Sequence, residues 1–146
     1  ENNNKKLIFF VLDYQQHIER EEGSLGTASQ GSKFQNSLAL LDQFGTLAKT
    51  DGIYILISKS DLFPKGMDKN KFAKDFIKNK YKGFYNNCKM LTNKYNNNFD
   101  LTFFPYSLGE VVYKNLLTRF DHQPPNDLLK FICNNSFVQG KSKSWF

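Results

Sequence analysis

Cysteine and histidine are scarce in this chain, with two of each, and no apolar run is long. Cys88 and Cys133 cannot make a disulfide framework, which points to a reducing compartment. His17 and His122 stand alone, with no H-E-x-x-H and no C-x-x-C, so the spacing builds no metal site. A G-x-S-x-G elbow is also missing, and with it one familiar way of presenting a nucleophile. The longest apolar run, Leu7–Leu12, is strand-sized and falls far short of the roughly 20 residues of a membrane span. The opening Glu1-Asn2-Asn3-Asn4-Lys5-Lys6 is polar, without an initiator Met and without the apolar stretch of a signal peptide. The expectation is a cytoplasmic protein, and a piece of a longer polypeptide. No internal repeat is found.

What is present is aromatic and basic. Of the 146 residues 40% are hydrophobic, with 15 Phe and 7 Tyr, which is enough for one packed domain and too much for disorder. The net charge of +6 is concentrated between Lys65 and Lys94, where nine lysines stand against Asp68 and Asp75. Such a segment can attract nucleic acid or an anionic membrane surface. It holds no arginine, the residue that forks onto phosphates and base edges. Its aromatics fall at helical spacing, so the plainer reading is a solvated helix face over a core. Neither nucleic acid nor a membrane surface is expected as the main partner.

Leu7–Leu12 is apolar without alternation, the mark of a strand covered on both faces inside a parallel sheet. It ends at Asp13. Residues 19 to 33, charged and then Gly/Ser-rich, read as a flexible loop. Phe34, Leu38, Leu41, Phe44 or Gly45, and Ala48 predict a helix up to about Lys49. Asp51-Gly52 is a turn, and Ile53–Ile57 a second buried strand. Beyond Pro64 the pattern predicts one long helix from about Asp68 to Tyr95, bent at Gly83 and ended by Asn96-Asn97-Asn98. Leu101–Phe104 is a third strand, stopped by Pro105. Val111–Phe120 fits strand alternation and helical spacing alike. Pro124-Pro125-Asn126-Asp127 opens a last helix, and 137–146 reads as a loosely held tail after a single domain over 1–136. The alternation predicts an α/β fold: three layers, a mostly parallel sheet flanked by helices. Ligands in such folds sit beyond the carboxyl ends of the strands. Here those ends carry Asp13, Ser58–Asp61 and Tyr106–Gly109.

Ser58-Lys59-Ser60-Asp61 follows the second strand. Lysine methylenes can lie along a planar base while the ammonium stays wet. An aspartate carboxylate can accept two adjacent N–H donors, which the edge of guanine offers and that of adenine does not. Tyr106-Ser107-Leu108-Gly109 is a turn that could aim backbone N–H groups at the guanine carbonyl. In these motifs the chain resembles the second half of a P-loop GTPase domain of the translation-factor and Ras-like class. That family carries Asn/Thr-Lys-x-Asp after one core strand and a Ser-Ala-type motif after the next. The resemblance covers about residues 6 to 134. In wording, "ILISKSDLFP" and "FPYSLGEV" are similar to GTPase-like domains of large bacterial assemblies such as secretion-system components.

The resemblance implies that Asp61 accepts hydrogen bonds from guanine and Lys59 covers the ring. It puts Ser58 where the family has Asn or Thr, and turns the backbone of Ser107 and Leu108 to the guanine oxygen. It implies GTP or GDP as the ligand of a parent protein, and no nucleotide for this chain alone. Two positions depart from the pattern: Ser58 is shorter than Asn, and Leu108 replaces a small residue. Gly26-Thr-Ala-Ser-Gln-Gly31-Ser32-Lys33 has its Lys and Ser swapped and stands a dozen residues from Asp13, so it is not read as a phosphate loop. Asp13-Tyr14-Gln15-Gln16 lacks the glycine of D-x-x-G. No catalytic residue is assigned. In the family the strand matching Leu7–Leu12 has a neighbour on its far side. Its edge here is expected to need cover from the upstream half of the parent, from another partner, or from a second copy. Three functions follow: the base-recognition half of a GTPase-like domain, a degenerate domain used for protein interaction, and a basic surface for nucleic acid or anionic lipid.

Overall fold

The computed structural model describes residues 6–15, 26–95, 100–112 and 116–136. Three strands, β1 (Leu7–Asp13), β2 (Gly52–Ser58) and β3 (Asp100–Tyr106), form a parallel sheet in the order β1-β2-β3. Register runs from Leu7 opposite Gly52 to Asp13 opposite Ser58, and from Gly52 opposite Asp100 to Ser58 opposite Tyr106. The unbroken apolar character of β2 has its reason in this position: it is central and buried from Gly52 to Ile57.

Side chains alternate across the sheet. Phe10, Leu12, Ile53, Ile55 and Ile57 are buried on one face. Helices α1 (Gly26–Gln43), α2 (Lys69–Lys80) and α3 (Lys82–Lys94) supply Leu38, then Ala73, Phe76 and Ile77, then Phe84, Cys88 and Leu91 to the same core. On the other face the rings of Phe9, Tyr54 and Phe104 pack together, and Tyr54 and Phe104 meet α4 (Gln123–Ser136), whose Phe131 lies 4.9 Å from Tyr54 and 4.8 Å from Phe104. The chain is therefore an α/β structure with a three-stranded parallel sheet flanked by helices. Among the described residues β1 pairs only with β2, and Val11 on it is 58% exposed.

Several boundaries differ from the expectation. The Gly/Ser-rich segment is helical from Gly26 and passes beside α3 and the residue before it. A Cβ on Gly31 would sit 3.4 Å from the buried ring of Tyr81. The portion 19–25 of the expected loop lies outside the described residues. The same helix stops at Gln43 rather than Lys49. Gly45 turns left-handed (φ 67), Thr46 N–H donates to Leu41 C=O and Gly45 N–H to Asp42 C=O, a Schellman closure. Leu47–Lys49 then forms a separate 3-10 turn.

The expected long helix is two. Asp68 caps α2 by accepting from Lys71 N–H at 2.8 Å, and the break falls at Tyr81 (φ −116, ψ 39), not at Gly83. Leaving helical geometry there lets the Tyr81 ring bury beside Phe76. The expected stop at Asn96–Asn98 lies outside the described residues. Pro105 does not stop β3, which continues to Tyr106; a proline is tolerated on a strand at the sheet margin. The ambiguous stretch resolves into an antiparallel pair, β4 (Gly109–Val112) and β5 (Leu116–Phe120), with 113–115 outside the described residues. The tail 137–146 also lies outside them.

At the far end of the helical layer, Lys94 Nζ lies 2.9 Å from both Asp42 carboxylate oxygens, and the Tyr95 hydroxyl donates to the same group. The Tyr95 hydroxyl first, and Lys94 next, hold the Asp42 carboxyl below its ordinary value. Burial pushes the Cys88 thiol up to about 12, whereas Cys133 is exposed. A thiol reagent at about pH 8 is therefore expected to titrate Cys133 in the native chain and Cys88 only after denaturant is added. Rapid labelling of both in native buffer would contradict the packing of α3. No described helix is long and apolar enough to cross a membrane.

Candidate functional site

The strand ends Asp13, Ser58 and Tyr106 are in register, so the three loops singled out in the sequence leave one edge of the sheet side by side. After Ser58 the chain turns through Lys59 in the left-handed region (φ 61, ψ 40) and into a 3-10 turn, Ser60–Leu62. Leu62 N–H donates to Lys59 C=O at 3.0 Å and Phe63 N–H to Ser60 C=O at 3.3 Å. For a residue with a Cβ the left-handed conformation costs roughly 1–2 kcal/mol, and here side-chain bonds hold it.

Lys59 Nζ donates to Gln15 Oε1 at 2.7 Å and lies 3.2 Å from Asp13 Oδ2. Asp13 Oδ1 in turn accepts from Gln15 N–H at 2.9 Å. The Ser58 hydroxyl donates to Leu12 C=O at 3.2 Å. Of the residues singled out, then, Ser58 and Lys59 bind the turn back to the end of β1.

Asp61 and Ser107 go elsewhere. Both line a cleft of about 720 Å³ beyond the carboxyl ends of β2 and β3. Phe63, Pro64 and Lys65 continue its wall from the β2 side, and Gly109, Glu110, Arg119 and Phe120 come from the β4–β5 pair. Among the described residues the Asp61 carboxylate makes no hydrogen bond or ion pair. Ser107 is buried, at 5% exposure, and its side chain likewise has no hydrogen bond. Leu108 is half exposed, and its carbonyl accepts from Asp121 N–H at 2.9 Å, which fixes the turn against the strand end.

The hairpin wall depends on Gly109 (φ 133), where a Cβ would come within 1.7 Å of the Arg119 carbonyl oxygen. Its pairing sets Glu110 opposite Arg119. Past β5, the rings of Phe120 and His122 meet edge to face at 4.4 Å. Arg119, Lys65, Lys69 and His122 are cleft residues that sequence reasoning did not find. His122 carries no motif, and only the folding back of the hairpin brings Arg119 to the turn after β2.

Chemically, the cleft offers three carboxylates, of which Asp61 makes no hydrogen bond or ion pair among the described residues, a buried hydroxyl, two phenyl rings and three cations. It can accept N–H donors from a planar ligand and exclude part of the competing water. Compared with protein-family models, with characterised proteins and with solved structures, the chain matches none.

Proposed function

We propose that this chain is the base-recognition half of a P-loop GTPase-like domain, with Asp61 as the guanine-reading carboxylate. The observation that carries the reading is the pairing of Asp61 with Ser107. The two residues belong to loops 46 positions apart in sequence, yet both line one cleft beyond adjacent parallel strands, with their polar groups unspent. A carboxylate kept clear of its own protein's donors is available to the two N–H groups on guanine. Ser107 lines the cleft, and on this reading the backbone of the Ser107–Leu108 turn meets the base carbonyl.

Lys59 supports the reading differently from the family pattern. Its ammonium is held at Asp13 and Gln15, so its role in this domain is to set the turn that presents Asp61. Ser58, too short to reach across to a phosphate loop, serves the same turn through Leu12. The reading assigns no hydrolysis to this chain, whose sequence shows neither a phosphate loop nor the glycine of D-x-x-G.

Titrating the isotopically labelled full chain with guanosine tests this. Guanosine is expected to shift the amides of 59–63 and 106–109, and adenosine to leave them in place. Asp61→Asn should weaken guanosine by about tenfold or more, the loss of a charge-assisted pair of hydrogen bonds. It should also raise the response to xanthosine, whose carbonyl suits a carboxamide N–H. Equal weak responses to guanosine and adenosine, untouched by the substitution, would sink the reading.

A second reading rests on β1. With one hydrogen-bonded side open among the described residues and Val11 exposed, the strand can take a further strand from the parent protein or from a second copy. On that reading the domain is a degenerate GTPase relative kept for protein interaction, and the guanosine titration is silent.

A further inference from the structure

We infer that the outward face of α2 and α3 is a docking surface for double-stranded DNA, held through its phosphates by Lys71, Lys74, Lys78, Lys82 and Lys89. The inference does not rest on the reading of Asp61. It starts from the two helices, which carry eight lysines and one carboxylate, Asp75. Ala73, Phe76 and Ile77 of α2, and Phe84, Cys88 and Leu91 of α3, are turned to the core. At 3.6 residues per turn, Lys71, Lys74 and Lys78 fall together on the opposite side of α2, and Lys82 and Lys89 on the opposite side of α3. All five are exposed, and none of their ammonium groups has an ion pair or a hydrogen bond among the described residues.

A helix face that only has to meet water normally interleaves both signs, in pairs three or four residues apart. Here the spacing does the reverse. Lys71 and Lys74 stand three apart and Lys74 and Lys78 four apart, where like charges destabilise a helix. Lys71 and Lys82 lie in the first turns of their helices, against the dipole, and neither first turn holds an acid. Asp75 lies within one turn of Lys71 and Lys78 and has no ion pair to either. Asp68 is spent as the cap of α2, and Asp42 on Lys94. Asp61, Glu110 and Asp121 line the cleft with Lys65 and Lys69, so those two lysines are left out of the surface. The charge on the outward face works against the helices that carry it, and a polyanion relieves it.

Three features choose duplex DNA among polyanions. The apolar stripe of each helix is spent in the core. Met90 is the one exposed apolar side chain left on the pair, too little to enter a lipid boundary. No aromatic side chain of α2 or α3 is exposed, so a single strand finds nothing to stack on. The lysines are borne by helices, and the major groove of B-form DNA admits a helix with the flanking phosphates in reach, whereas that of A-form RNA is too narrow. Phosphate contacts carry no sequence information, so the surface takes any duplex sequence.

Anisotropy of a short fluorescent duplex of mixed sequence tests this with the full chain. Five phosphate contacts give a slope of log affinity against log salt of about −4 to −5. Lys71→Gln, Lys74→Gln and Lys78→Gln together should weaken binding at least about tenfold and flatten that slope by about 3. Lys82→Gln with Lys89→Gln, on the other helix, should weaken it in the same direction. As a control, Lys6→Gln, Lys49→Gln and Lys130→Gln remove three charges from exposed positions outside the two helices. At about 0.1 M salt, where charges beyond roughly 10 Å are screened, the control should stay within about twofold of the native chain. The lysine variants of α2 relieve repulsion within it, so the melting temperature should hold or rise. Equal losses in the two triple variants overturn the inference, since net charge alone then explains binding. Failure to bind the duplex overturns it too, as does duplex RNA or a single strand bound as tightly as duplex DNA. Retention on phosphatidylserine vesicles without retention on the duplex would assign the face to a membrane instead and overturn it.

Discussion

Phe84→Ala is expected to lower the unfolding free energy by about 3–5 kcal/mol, the range for removing a buried aromatic ring. Phe84 is 1% exposed, the largest of the fully buried side chains. Its ring stands edge-on to Phe10 at 5.0 Å and beside Phe34 at 5.3 Å, so one side chain of α3 joins β1 to α1. Alanine would leave a void with a strand on one side and two helices on the others, none of which can close it without moving its other contacts. For a domain of ordinary stability, about 5–15 kcal/mol, this is a large share. The check is chemical denaturation: the midpoint should fall with little change in slope. A loss under about 1 kcal/mol would mean that α3 does not pack as described.

Gly109→Ala is expected to have the largest effect on the cleft. At φ 133 a side chain is strained wherever it points, and here the new methyl would also overlap the Arg119 carbonyl oxygen. Strain of this kind costs roughly 1–3 kcal/mol, and a two-stranded pair has little stability of its own to set against it. The pair should therefore open locally and leave the three-stranded sheet intact. Amide exchange reads this directly: protection should vanish along β4 and β5 and persist along β2. The guanosine response should weaken at the same time, because the β4–β5 pair, with Phe120, leaves the cleft wall. Retained protection in β4 and β5 would show that the pairing does not depend on that glycine.

How much of this was legible beforehand differs from element to element. β1 and β2 were readable to within a residue, because their apolar runs are unbroken; the cover expected on both faces holds for β2 alone, since β1 lies at the sheet margin with Val11 58% exposed. The division at Tyr81 was not, since Phe76, Ile77, Phe84, Cys88 and Leu91 keep a helical rhythm across it. The rhythm records which residues face the core and says nothing of whether the backbone between them stays helical. The start of α1 was hidden for a different reason: glycine and serine are poor helix formers alone, so a Gly/Ser-rich segment reads as loop. At the candidate site, the rule that parallel strands present ligands at their carboxyl ends pointed to Asp13, Ser58–Asp61 and Tyr106–Gly109, and Asp61 and Ser107 of these line the cleft. The turning of Lys59 toward Asp13 could not, because it depends on a left-handed backbone at a non-glycine residue. Nor could the placing of Lys65 and Arg119, 54 positions apart, around one cleft, which is made by the hairpin.

The order of the sheet has one more consequence. In open α/β sheets a binding crevice usually arises where the winding reverses, so that two loops part toward opposite faces. Here β1, β2 and β3 advance in a single direction, and the helices that connect them share one face. Such a sheet has no point of reversal among the described strands and would present its loops as a flat rim. The cleft exists because the chain, on leaving β3, rises into β4 and β5 before it descends through α4 to the opposite face. The hairpin is thus the second lip of the cleft, doing by local folding what a change of winding direction does in larger sheets.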